Sequence, residues 1–208
     1  MPLPLCLWLM AMFSLTIEPV SSPRPLGREE GLAEQIEQAH QRATCTMDRV
    51  FTGYQRRIVA AEDPIAAWNA HPRLRKWMGP LDPEQDQAVI ASFGAFLQQM
   101  QQRLARREVA YVIEEDPKGR CERHFTNAYV HLADTSAIIY VCERWREQSP
   151  HQRVSTLVHE LVHTFGYDHP QGVHTPLEAL HLAKDSPALA RQSPENFESM
   201  IEYYVCQE

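Results

Sequence analysis

With 208 residues, 44% of them hydrophobic and 23% charged, the chain has the size and composition of one globular domain rather than of a disordered or repetitive protein. Its formal net charge of −7, with no long basic run, excludes nucleic acid as the expected partner. Arg103, Arg106 and Arg107 read as one helix face. In chain order, residues 3–17 form an apolar run broken only by Pro4, Ser14 and Thr16. That run is too short to span a bilayer comfortably and suits the apolar core of a signal peptide. The usual Lys or Arg before it is missing, and no clean small-x-small cleavage site stands between Pro19 and Pro25. We read residues 1–22 as a signal peptide and residues 23–208 as the mature domain. The mature protein is then secreted or periplasmic, without stable membrane association, and is expected as a monomer.

Removing the leader removes Cys6 and leaves Cys45, Cys121, Cys142 and Cys206. An even count in an exported chain implies two disulfides, with three possible pairings. The pairing expected is Cys121 with Cys142, closing a short loop around a sheet, and Cys45 with Cys206, tying the first helix to the last. No CxxC spacing points to a cysteine-ligated metal.

Residues 29–61 show helical periodicity, with Leu32, Ile36, Ala39, Ala43, Met47, Val50, Tyr54 and Ile58 at threes and fours. Asp63-Pro64 ends this helix or starts a second short one. Residues 71–80, containing Trp77, read as a turn region. Asp82 and Pro83 then predict a helix start, Asp82 capping and Pro83 at the first position. Val89, Phe93, Phe96, Leu97, Met100 and Leu104 would line its buried side. The helical part thus runs from about 28 to 107. Three short apolar runs follow, at 109–113, 128–132 and 137–142, and predict a small sheet. Helices are expected over about 150–165, 176–183 and 194–205.

The helix over 150–165 carries the chemistry. It holds His159-Glu160-Leu161-Val162-His163, followed by Gly166, Asp168 and His169. Histidines four apart stand one above the other on a helix, so both imidazoles can reach one ion. The glutamate between them can take a proton from a water on that ion. Gly166 allows the helix to stop and the chain to return with a third ligand. The bland alternative is a solvated surface helix. The apolar neighbours Leu157, Val158, Leu161, Val162 and Phe165 argue against it. Burying Glu160 without a partner would cost several kcal/mol. The expected metal is Zn²⁺, with His159, His163 and His169 as ligands and Glu160 as catalytic base. His174 and Asp168 stand behind His169 as third-ligand candidates. A donor to the reacting carbonyl is expected from His174, Tyr167 or Tyr203. Glu198 or Glu202 is expected to orient an imidazole. His151 and His181 read as surface or supporting histidines; His40, His71, His124 and His131 get no functional reading.

The C-terminal half resembles the aspzincins, a family of zinc endopeptidases. The resemblance rests on Ile138-Ile139-Tyr140-Val141-Cys142, on Thr156 through His163, on Leu180-His181-Leu182-Ala183 with Pro187-Ala188-Leu189-Ala190 and Glu195-Asn196-Phe197-Glu198, and on Lys76-Trp77-Met78-Gly79. It implies an α+β, zincin-like fold: a helical N-terminal half, a small sheet, an active-site helix and closing C-terminal helices. It also implies a protein or peptide substrate. One departure stands out. The family takes its third ligand from an Asp in a Gly-Thr-x-x-Asp-x-x-Tyr-Gly segment, which is missing here. His169, six after His163 with Gly166 between, instead has the metzincin spacing, and Glu198-Ser199-Met200-Ile201 superficially resembles a Met-turn. A metzincin-type peptidase is therefore the runner-up, followed by an exported non-catalytic zincin-like binding module and by an effector peptidase with one specific target. For Lys-directed cleavage, Asp185 or Glu178 would supply the acid.

Overall fold

In the computed structural model, residues 27–114, 121, 126–132 and 136–206 are described. The expected leader, His124 and the turn residues Pro117 and Asp134 lie outside them.

The chain opens with α1 (Gly27–Tyr54), which runs directly into a π-helical turn, Gln55–Val59. Leu32, Ile36, Ala39, Ala43, Met47, Val50 and Tyr54 recur every three or four residues and are all buried. His40 shares that face: its Nε2–H donates to the Leu104 carbonyl (3.1 Å), so its Nδ1 accepts from the Tyr111 hydroxyl (2.7 Å). Asp63 caps α2 (Pro64–Ala70) by accepting from the Ala66 N–H at 2.9 Å.

Residues 72–78 form a helix, α3 (Pro72–Met78), where the sequence reads as a turn. The His71 ring accepts from the Leu74 N–H, and Pro72 sits at the first position, where no N–H is needed. Leu74, Trp77 and Met78 then fall on one buried face. Gly79 ends it at φ 75°, and a Cβ there would stand 2.4 Å from the Ala183 carbonyl, so close packing as well as conformation requires glycine.

The next helix, α4 (Gln87–Ala105), starts later than Asp82-Pro83 implies. Asp82 accepts from the Glu84 and Gln85 N–H groups and caps only a single turn before α4. Arg103, Arg106 and Arg107 do not share a face. Arg106 ends the helix, and Arg107, at φ 55°, leaves it to pair with Glu37 of α1.

Three strands form the sheet: β1 (Ala110–Ile113), β2 (Ala128–Tyr129) and β3 (Ile138–Val141). Their order is β1-β3-β2, parallel between β1 and β3 and antiparallel between β2 and β3. β2 is therefore an edge strand.

A 3₁₀ turn, Glu143–Glu147, leads to α5 (Pro150–His163). Its start is a capping box: Ser149 and Gln152 each bond the other's backbone N–H. Val154, Leu157, Val158, Leu161 and Val162 are fully buried, and α5 packs against α1 and the last helix. The closing helices are α6 (Pro176–Asp185), the short α7 (Pro187–Ala190) and α8 (Pro194–Ile201), with a final 3₁₀ turn, Glu202–Tyr204. Asn196, fully buried on α8, donates to the Trp77 and Ala179 carbonyls at 2.5 and 2.8 Å and so ties α3, α6 and α8 together. Phe197 extends the lock by stacking on Phe93 of α4.

Disulfides join Cys45 to Cys206 and Cys121 to Cys142, the pairing expected. Among the described residues no helix is long and apolar enough to cross a membrane.

Candidate metal centre

His159 and His163 project from one face of α5, with ring centroids 5.1 Å apart. The helix ends just after them, and Gly166 adopts φ 84°, which reverses the chain. Arg103 of α4 fixes this exit. Its guanidinium donates to the Thr164 carbonyl (3.1 Å) and hydroxyl (2.7 Å) and lies 4.0 Å over the Phe165 ring. A cation at a helix C-terminus is also electrostatically favourable. The reversed chain brings His169 to ring-centroid distances of 5.0 Å from His159 and 4.8 Å from His163.

Each imidazole has its Nδ1 committed. His163 donates to the Tyr167 carbonyl and His169 to the Val173 carbonyl, both at 2.7 Å. His159 donates to Oε2 of Glu198 at 2.9 Å. A carbonyl only accepts, so the hydrogens of His163 and His169 sit on Nδ1 and their Nε2 atoms are bare. Burial pushes His159 and His163 down to about pKa 4, and His169 down as well, so the rings are neutral at pH 7. The bare Nε2 atoms of His163 and His169 nevertheless face each other at 3.2 Å. Two lone pairs at that distance repel unless a cation lies between them. A tetrahedral zinc site with Zn–N bonds of about 2.0–2.1 Å places its nitrogens ~3.3 Å apart. One ligand atom from each of His159, His163 and His169 lies within 4.8 Å of the other two. The donor set and its geometry fit zinc.

The triad lines a cleft of about 480 Å³ together with Glu160, Asp168, His174 and Glu195. Glu160 lies between the two helical histidines and is buried. Ala128 and Tyr129 of β2, with Val130 and Leu132 just after it, also line the cleft.

The other residues singled out in the sequence separate clearly. Asp168 accepts from the His169 N–H at 2.7 Å, turning toward the backbone. His174 packs against His169, ring centroids 4.4 Å apart, but is outside the three-nitrogen cluster. Tyr167 packs its ring edge-on against Phe96, and Tyr203 is exposed beside Arg73. Neither lines the cleft. Glu202 is exposed in the last 3₁₀ turn, so Glu198 alone of that pair reaches an imidazole. Met200 sits inside α8, not in a turn. Asp185 is exposed at the end of α6, and Glu178 is held by the His174 N–H and the Thr175 hydroxyl.

Glu195 was missed in the sequence. It lies one helical turn before Glu198, buried, 3.8 Å from Nδ1 of His159. Its signals were the i, i+3 spacing of the two acids and its place in the Glu195-Asn196-Phe197-Glu198 stretch that carries part of the family resemblance. Burial, and for Glu195 also the charge of Glu198, raises both carboxyls to about 7. Burial thus moves His159 and Glu198 both toward neutrality, and their contact is a hydrogen bond more than an ion pair.

Comparisons with known proteins supply the family and the fold. Residues 65–203 match the aspzincin family model, described as lysine-specific metallo-endopeptidase. The zinc peptidase from Grifola frondosa has a similar fold, with a TM-score of 0.63 and 17% identity, covering 83% of this chain and 94% of that one. No curated protein matches the chain. A family match over well over half the chain, on a fold that gathers three imidazoles beside a buried glutamate, places this protein in the aspzincin family of zinc metallo-endopeptidases.

Proposed function

We propose that His159, His163 and His169 hold the zinc and that Glu160 is the general base of peptide-bond hydrolysis. The observation that carries this is the set of three imidazoles, each locked by its Nδ1–H, beside the buried carboxylate of Glu160. Zinc bound there supplies Lewis acidity, which makes water nucleophilic near neutral pH and polarises a carbonyl. Glu160 takes the proton from the attacking water and delivers it to the leaving amine. His174, in the cleft beside His169, donates a hydrogen bond to the carbonyl oxygen as negative charge develops. An extended substrate lies along the β2 edge, where strand addition satisfies its backbone.

Glu195 gives the cleft a preference for a lysine side chain. It is a buried acid in the cleft wall, and an ammonium group there would compensate its burial. Asp185 and Glu178, the acids read from the sequence, do not line the cleft. The two disulfides suit an oxidising compartment and support export.

The purified protein is expected to contain zinc and to cut a denatured protein until a chelator is added. Glu160→Gln should keep the zinc and lower kcat by about 10²–10⁴. Near-normal hydrolysis by Glu160→Gln would remove Glu160 as the base. Glu195→Gln should lower kcat/KM for cleavage at lysine by about tenfold or more relative to neutral residues, with zinc content unchanged. An unaltered cleavage pattern, mapped by mass spectrometry, would assign the preference elsewhere.

A further inference from the structure

A second cavity, of about 350 Å³, shares no lining residue with the metal cleft. It lies where α1 and the π-helical turn meet α3, α4 and α8. Met200 reaches it from α8, two residues after Glu198 and so on roughly the opposite face of that helix. Its floor is apolar, formed by Tyr54, Ile58, Leu74, Leu97 and Met200, all buried. Its rim carries Arg49, Arg56 and Arg57 against a single carboxylate, Asp48. This is a local cationic excess in a chain of net charge −7. Among the described residues, these three guanidinium groups have no hydrogen-bond or ion-pair partner. The neighbouring Arg73 differs, since it is sandwiched against the rings of Tyr203 and Tyr204.

The rim is also constructed. Arg56 and Arg57 stand in the π-helical turn Gln55–Val59, a rare conformation that is concentrated at functional sites. His71 lines the same cavity. Its Nδ1 accepts from Leu74 N–H, which leaves Nε2–H as a donor in the neutral ring. The wall bearing Tyr204 is fixed by the Cys45–Cys206 disulfide and by the Cys206 N–H bond to the Thr46 hydroxyl at 3.1 Å. A small, apolar-floored cavity with three guanidinium side chains and His71 in its lining suits a small molecule better than a protein surface.

We propose that this cavity binds a small amphipathic monoanion of the fatty-acid class, its tail on the apolar floor and its carboxylate on Arg56 and Arg57. Guanidinium groups recognise a carboxylate through charge-assisted, often paired hydrogen bonds.

The test is calorimetric titration of the zinc-loaded full chain with decanoate below its micelle concentration. One-to-one saturable binding is expected. Decanol lacks the charge and acetate lacks the tail, so each should bind about tenfold or more weakly. The double variant Arg56→Glu/Arg57→Glu changes exposed residues and should lose binding by a similar factor, while hydrolysis of a denatured protein is unchanged. Leu97→Trp, which fills the floor, should abolish binding. If that variant does not fold, the rim variant still decides. Equal binding of decanol, or decanoate binding that survives the rim variant, overturns the assignment. So does binding that disappears with chelator, which would place the carboxylate at the imidazoles. Failure to bind decanoate, including where an acidic peptide binds instead, also overturns it.

Discussion

Each imidazole of the triad is held by the atom it presents away from the centre. Two Nδ1–H groups are tied to backbone carbonyls and the third to a carboxylate. The two carbonyls fix the tautomers of His163 and His169, and all three rings are held in place, so under the proposed function little orientational freedom would be lost on binding an ion. Glu198 differs from the carbonyls because its carboxyl group is a side chain that substitution can remove or alter. We predict that Glu198→Ala weakens zinc affinity about 10–100-fold, and that Glu198→Gln, which keeps an acceptor, weakens it less. Competition with a chromophoric chelator measures both. Equal affinity in all three proteins would leave Glu198 with no part in orienting His159.

At the scale of elements, the centre depends on how α5 ends. A capping box starts this helix, and Arg103 together with the left-handed Gly166 finishes it. An added Cβ at Gly166 meets nothing within 4 Å, so substitution there is a question of backbone conformation alone. Gly166→Ala should cost about 1–2 kcal/mol, the price of a left-handed residue with a side chain. Thermal unfolding should show a Tm lower by a few degrees with the zinc stoichiometry intact. A several-fold larger loss would mean that the turn rearranges.

Over the whole molecule, the two crosslinks do different amounts of work. Cys45–Cys206 spans 161 residues of sequence, and Cys121–Cys142 spans 21. In the chain-entropy model these correspond to about 5 and about 3 kcal/mol of constraint on the unfolded state. Replacing Cys45 and Cys206 by Ser should therefore lower the denaturant midpoint more than replacing Cys121 and Cys142. Zinc affinity should change little in the first pair, because α5, α8 and the Gly166 turn hold the triad. The reverse order of midpoints would show that native-state effects outweigh chain entropy here.

Much of this arrangement is readable from the chain alone because it is local. The spacing of His159 and His163 and the buried face of α1 each depend on geometry within one turn or one helix. The turn reading of residues 72–78 failed for a local reason as well, since His71 and Pro72 can start a helix as easily as break a chain. What only the tertiary structure decided is which distant groups meet. It brought His169, not Asp168 or His174, to the two helical histidines, chose Glu198 over Glu202, and set the buried Glu195 in the cleft wall. Those choices follow from the packing of α8 against α5 and from the path of the Gly166 turn. Both are set by contacts among residues far apart in sequence, which no local periodicity encodes.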